Sequence, residues 1–214
     1  MSDIETEGAT SPAPAEARPL GQRLFEHRRW IHPAFLLAAL VLGGATDGGM
    51  LVGAALLLAY LAIRFWGCRH IRGAAHVHVR KAQQRKVLVT GGPFAWVRNP
   101  LYLGNTIGLA GACLLLGPTW FAAVAAAASM LWYAAIVRWE EQNLTRLYGE
   151  EYAAYCRAVP RFVPRIPRAA ARAAAESDER DPYPWNKVLR RERGAIATAA
   201  VIILLALLRQ GLVD

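Results

Sequence analysis

The chain alternates apolar runs with basic polar segments. Apolar runs occupy residues 31–45, 50–63, 100–116, 119–137 and 194–208. A hydrocarbon core about 30 Å thick takes about 20 helical residues, and the first run is short against that length. Arg18, Arg23, Arg28, Arg29 and then Trp30 stand in front of it as an interface would. Thr46-Asp47-Gly48-Gly49 is a turn signal, so the first two runs read as a helical hairpin, closed by Arg64 and Trp66. Gly117-Pro118 separates the third run from the fourth. Within the third, Gly104, Gly108 and Ala112 recur at four-residue spacing, which lets another helix come close. The pattern predicts an all-α fold: a polytopic membrane helical bundle of about five transmembrane helices.

Charge adds an orientation. The 25 Lys and Arg residues fall as four in 1–29, eight in 64–102, twelve in 138–193 and one at Arg209. The turns at 46–49 and 117–118 hold none. By the positive-inside rule the three basic segments face the cytoplasm. The net charge of +9 raises nucleic acid as a partner. The basic residues lie between apolar blocks, however, so an anionic membrane surface is the expected partner and nucleic acid is not. Trp30, Trp66, Trp96, Trp139 and Trp185 fall near the expected interfaces as belt anchors. The expected organisation is a disordered tail over 1–19, a membrane core over 20–165, a basic linker or interfacial segment over 166–193 and a C-terminal transmembrane helix over 194–214. The tail lacks the basic-then-apolar start of a signal peptide.

Several chemistries find no support. Cys68, Cys113 and Cys156 are odd in number and widely spaced, so neither a disulfide nor a zinc site is expected. His76-x-His78 has no third ligand near it in sequence, so no metal is expected. No G-x-G-x-x-G follows a strand pattern, which leaves a soluble dinucleotide site without a basis.

The stretch 88–104, L-V-T-G-G-P-F-A-W-V-R-N-P-L-Y-L-G, is where a basic loop runs into the third apolar run. Asn99-Pro100 reads as a helix start, with Asn at the N-cap and Pro at the first helical position. Gly91-Gly92-Pro93 reads as a turn that lets another group approach the backbone. Such a turn beside a helix N-terminus offers backbone donors to an anion or a polar cofactor. Arg98 precedes the cap at the membrane boundary, placed either to snorkel to lipid phosphate or to grip a carboxylate. Glu140 and Glu141 close the fourth run on the same side. Acids there oppose both the helix dipole and the basic cytoplasmic pattern. If the helix continues, Glu141, Tyr148, Tyr152 and Tyr155 share a face suited to a ribose diol and an aromatic base.

These residues carry a resemblance. Gly92-Pro93-Phe94, Val97-Arg98-Asn99-Pro100, Tyr102 and Gly104 resemble the G-P-[YF]-x-x-V-R-[HN]-P-x-Y-x-G signature of the isoprenylcysteine carboxyl methyltransferase and phospholipid N-methyltransferase superfamily. Glu140-Glu141, Leu144, Tyr148-Gly149, Tyr152, Tyr155 and Val159-Pro160-Arg161 resemble its second signature, E-E-x-x-L-x-x-x-[FY]-G-x-x-Y-x-x-Y-x-x-x-V-P-R. The two span about 88 to 164, near a third of the chain. The resemblance implies an integral membrane methyltransferase that uses S-adenosylmethionine from a pocket facing the cytoplasm. It implies Gly92, Pro93, Phe94, Arg98, Asn99, Pro100, Tyr102, Gly104, Glu140, Glu141 and Tyr152 as cofactor-binding residues. Arg98, Asn99, Glu140 and Glu141 are the expected catalytic residues, and Arg161 and Tyr155 are expected at the acceptor. The isoprenylcysteine branch has His where this chain has Asn99; Asn accepts no proton, but it can bond an adenine edge.

The implied reaction is in-line methyl transfer to a lipid amine or to a prenylated or otherwise amphipathic acid. It rests on positioning and desolvation more than on proton transfer. Two other readings stand beside it. One is a membrane reductase on a related helical scaffold using NADPH. The other is a non-catalytic membrane protein whose basic loops gather anionic lipid.

Overall fold

A computed structural model describes residues 18–71, 88–176 and 182–211. The expectations for 1–17, for the basic residues from Arg72 to Lys86 and for His76-x-His78 lie outside the described residues. Every regular element among those described is helical: α1 (Leu20–Leu42), α2 (Asp47–His70), a 3₁₀ turn (Gly92–Ala95), α3 (Pro100–Leu116), α4 (Thr119–Tyr148), α5 (Glu150–Ala158), α6 (Ala169–Glu176) and α7 (Trp185–Gln210).

Helix α3 is the centre of the bundle. Its Pro sits at the first helical position, where a missing N–H costs nothing. It is mostly apolar, with buried positions at Pro100, Gly104, Thr106, Gly108 and Leu109 and an unbroken buried stretch from Gly111 to Leu116. Helices α1, α2, α4 and α7 pack around it. The tightest seam is between α2 and α3. A Cβ on Gly53 would lie 2.7 Å from the Gly111 carbonyl oxygen, and a Cβ on Gly111 equally close to the Gly53 carbonyl. Backbones this near each other gain dispersion contact along their length.

The five long helices run alternately between two ends of the bundle. At one end Gly21 lies under Trp139, Gly67 meets Leu101, and Arg64 pairs with Glu192. At the other, Arg209 Nη1 donates to the carbonyls of Leu40 (2.6 Å) and Leu116 (3.3 Å). One guanidinium there satisfies orphan carbonyls of two helix C-termini. Helices α2 and α4 are long and apolar enough to cross a membrane, and α3 is a shorter apolar helix. Large apolar side chains such as Val41, Leu51, Leu131 and Leu204 stand exposed around the outside. A belt of this kind marks a membrane-associated surface.

Several element boundaries differ from the sequence pattern. The hairpin turn is Gly43 and Gly44, both at positive φ. Thr46 instead caps α2, its hydroxyl accepting from the Gly49 amide at 3.1 Å. Helices α1, α2 and α4 extend past their apolar runs into charged residues, since backbone hydrogen bonding does not stop where hydropathy does. The polar segment after α4 breaks at Gly149, φ 54°, so α4 and α5 are separate helices. The boundary expected at 193/194 falls inside α7, which begins at Trp185 and buries Val188 and Glu192.

Candidate functional site at the joined motifs

The first motif is shaped by one close approach. Gly92 has φ +60°, and a Cβ there would come within 2.5 Å of the His70 ring at the end of α2. Glycine meets both demands. The 3₁₀ turn then carries Pro93, which is buried, and Phe94 towards α3. Asn99 occupies the N-cap position of α3, but its side chain makes no cap hydrogen bond. Its Nδ2 donates to the Arg161 carbonyl at 3.2 Å. The expected capping role is thus replaced by a link to the second motif.

Further links run in parallel. The Tyr155 hydroxyl donates to the Phe94 carbonyl at 2.7 Å. The Arg98 amide donates to the Pro160 carbonyl at 2.8 Å, and the Arg165 amide to that of Trp96 at 3.1 Å. The segment 94–99 therefore lies along the segment 155–165, and each supplies partners the other's irregular backbone lacks. Tyr102 and Gly104 follow on α3. Gly104 faces Ile63 of α2, where a Cβ would be 3.0 Å from Cγ2. Its place in the fold is a helix contact.

Charge concentrates on Glu141. Arg98 Nη2 lies 3.3 Å from Glu141 Oε1, both side chains nearly buried. Arg161 grips the same carboxylate with two donors, Nε to Oε1 at 3.1 Å and Nη2 to Oε2 at 2.5 Å. That fork raises the Arg161 guanidinium pKa above its ordinary value. Arg98 Nε and Trp132 Nε1 are buried without a hydrogen-bond partner among the described residues. A buried, orphaned guanidinium N–H is costly unless something else accepts from it. Glu140, one helical step away, turns elsewhere and accepts from the Tyr102 hydroxyl at 3.0 Å. The two adjacent acids thus serve different neighbours, as the roughly 100° step of a helix requires.

The tyrosine face reads differently in three dimensions. Tyr152 and Tyr155 are buried with Leu88 and Val159, and Tyr148 and Leu144 pack against them. Burial pushes both hydroxyl pKa values above the ordinary phenol value. The face expected for a ribose and a base thus lies in a small apolar core, tied to the first motif by the Tyr155–Phe94 bond.

A second polar group was not legible as a site. Tyr133 OH lies 3.1 Å from His32 Nε2, and Asn105 Nδ2 donates to that hydroxyl at 3.3 Å. Arg64 Nη1 donates to Asn105 Oδ1 at 2.9 Å and its Nε to Glu192 Oε2 at 2.5 Å. Cys68 Sγ donates to Glu192 Oε1 at 2.8 Å. The Tyr133 ring packs on that of Tyr102, centroids 4.6 Å apart. Single polar residues inside apolar runs, such as His32 and Asn105, were the available signal. Among the described residues no group of three or more His, Cys, Asp or Glu side chains is placed to hold a metal ion.

A fixed guanidinium with a free Nε, paired with the Glu141 carboxylate, suits a small molecule carrying both charges. The comparisons agree with that setting. The profile of the phospholipid methyltransferase family matches residues 49–151. The nickel-cobalt-cadmium resistance protein NccN of Alcaligenes xylosoxydans xylosoxydans is 32% identical over 72% of this chain and 73% of its own. The cobalt-zinc-cadmium resistance protein CzcN of Cupriavidus metallidurans is 33% identical over 75% of this chain and 76% of its own. The protein-S-isoprenylcysteine O-methyltransferase of Schizosaccharomyces pombe is 33% identical over 44% of this chain and 39% of its own. No solved structure matches the chain. An all-helical, membrane-associated bundle bearing both signatures defines a class of membrane methyltransferase. The chain belongs to the isoprenylcysteine carboxyl methyltransferase and phospholipid methyltransferase superfamily.

Proposed function

We propose that the chain is an S-adenosylmethionine-dependent methyltransferase that spans the membrane five times and works at the cytoplasmic face. The observation that carries this is the meeting of Arg98 with Glu141 across two motifs far apart in sequence. The alternating run of α1, α2, α3, α4 and α7 and the partition of basic residues support the five-span topology.

The residues present fit the donor. Arg98, with its unpartnered Nε, offers a carboxylate a charge-assisted bond. Glu141 offers an acceptor to an amino group or a ribose hydroxyl, and Arg161 can release it without leaving a buried charge, being half-exposed. When bound, S-adenosylmethionine supplies an electrophilic methyl group on a cationic sulfur. The acceptor forms a bond to that methyl carbon while the carbon–sulfur electron pair stays on sulfur, leaving S-adenosylhomocysteine. A carboxylate acceptor becomes a neutral ester and needs no base. An amine must also lose a proton, for which Glu140, hydrogen-bonded to Tyr102, is a candidate acceptor.

Titration of the detergent-purified protein with S-adenosylmethionine, S-adenosylhomocysteine and NADPH tests the reading. Saturable binding of the first two alone supports it. Binding of NADPH alone makes the chain a reductase, and no binding at all makes it a non-catalytic lipid-associated protein. Membrane extracts incubated with labelled donor then identify the acceptor by which species gains a methyl group.

A further inference from the structure

Helix α2 ends in a patterned face. Ala62, Phe65, Trp66, Arg69 and His70 recur at the three- and four-residue steps of one side of the helix. Trp185, at the start of α7, stands against them, and together these residues line a cleft of about 430 Å³. The Arg69 guanidinium lies over the Trp185 ring, 4.5 Å from its centroid. The Tyr183 amide donates to the Arg69 carbonyl at 2.8 Å, which ties the approach to α7 to the end of α2. A guanidinium stacked on an indole keeps its N–H donors in its own plane, free to reach an anion beside the ring. Among the described residues no carboxylate pairs with Arg69. Glu192, the acid of the same stretch of α7, is taken by Arg64 and Cys68. The cleft also backs onto the first motif. His70 Nδ1 bonds to the Trp66 carbonyl at 2.8 Å, and its ring fills the space where a Gly92 Cβ would stand. The Trp66 ring meets that of Trp96 edge-on, centroids 6.4 Å apart.

We propose that this cleft binds the head group of an anionic phospholipid, and that the bound lipid steadies the first motif for the cofactor. The lipid is a resident partner, distinct from the methyl acceptor. The inference rests on the membrane-spanning reading, which sets the depth of the cleft. The 24 residues of α2 run about 36 Å, against a hydrocarbon core about 30 Å thick. Its last turn, with Arg69 and His70, therefore stands at head-group level. Trp66 and Trp185, both exposed, lie at the interface where such rings settle. A phosphate diester at that level meets the in-plane donors of Arg69 as a charge-assisted pair. The apolar part of the same molecule follows Phe65 and Ala62 along α2. A free phosphate gains nothing from that apolar end, and a zwitterionic head brings its own cation to Arg69. His70 and Trp66 belong to the cleft and to the packing of the first motif alike. A head group that holds them still lowers the ordering cost of cofactor binding, and the coupling is reciprocal.

The test uses the full-length protein in phosphatidylcholine nanodiscs carrying photoreactive phosphatidylglycerol, with the labelled peptides mapped by mass spectrometry. Saturable label is expected on the peptides holding Phe65–His70 and Trp185. It is displaced by unlabelled phosphatidylglycerol, and by neither added phosphatidylcholine nor inorganic phosphate. Arg69→Gln and Trp185→Ala are expected to cut the label about tenfold. Arg29→Gln, at an exposed cation on α1, is expected to leave it unchanged. An equal loss in Arg29→Gln means diffuse charge attraction, and label that never saturates means annular lipid; either overturns the site. Displacement by inorganic phosphate as efficient as by phosphatidylglycerol overturns the lipid assignment. S-adenosylhomocysteine affinity is measured in the same discs. It is expected to rise several-fold with phosphatidylglycerol in the native chain and to stay level in Arg69→Gln. Equal affinity with and without the lipid, beside saturable label, overturns the coupling. Absence of S-adenosylhomocysteine binding with saturable label rejects the methyltransferase reading alone; its presence with no saturable label rejects the lipid site alone.

Discussion

Arg98 of the first motif and Glu141 of the second form an ion pair at 3.3 Å, with each side chain about nine-tenths removed from solvent. The two residues are brought together by the α3–α4 hairpin, whose helices start and end at the same face of the bundle. Arg98 gives Glu141 only one of its donors, and its Nε remains free.

That pair makes a first prediction. Arg98→Ala is expected to weaken S-adenosylhomocysteine binding by tenfold or more, about 1.4 kcal/mol. Arg98→Lys keeps the charge, loses the fork, and is expected to fall between. Arg161→Ala, at a more exposed guanidinium, should cost about 0–1 kcal/mol in stability. Calorimetric titration with thermal unfolding separates binding from folding. Unchanged affinity in Arg98→Ala removes Arg98 from the cofactor site.

Gly92 makes a second. With φ +60° and the His70 ring where a Cβ would be, Gly92→Ala is expected to destabilise the chain by about 1–3 kcal/mol. The double variant with His70→Ala relieves the contact and leaves the backbone strain, so rescue should be partial. Full rescue in thermal unfolding would assign the whole cost to the contact.

Tyr155 makes a third. Tyr155→Phe removes the bond to the Phe94 carbonyl and should cost about 1 kcal/mol. Because the folded state raises the Tyr152 and Tyr155 pKa values, their stabilisation is full below the unfolded phenol value of about 10. It is lost as pH rises from there through the folded values. Ultraviolet absorbance should therefore show these two phenols ionising later than exposed ones. Their ionisation alongside exposed tyrosines at ordinary phenol pH would contradict the buried cluster.

Glu192 makes a fourth. Glu192→Ala leaves Arg64 without its carboxylate inside the bundle and frees the Cys68 thiol. Breaking a buried pair costs about 3–5 kcal/mol, and the partial exposure of Arg64 moves the expectation to the low end. Leu207 and Leu208 face outward, so Leu207→Ala should change stability little. Equal stability of Glu192→Ala and the native chain would show that α7 is held by apolar packing alone.

The sequence by itself determined the helices and their order. Apolar runs of near-membrane length can hydrogen-bond their backbones only within each segment, so α3 begins at Pro100 and ends at Leu116 as hydropathy and Pro100 require. The seam glycines Gly104 and Gly108 were legible for the same reason, since spacing alone puts them on one face. Tertiary structure decided which neighbour each polar group takes. Asn99 reaches Arg161 and makes no cap, Tyr155 bonds Phe94, and Glu140 and Glu141 diverge, because these outcomes depend on how two irregular segments meet in space. The rung from His32 to Arg64 draws on helices far apart in the chain. No local pattern encodes that convergence, and it exists only once α1 and α7 have packed around α3.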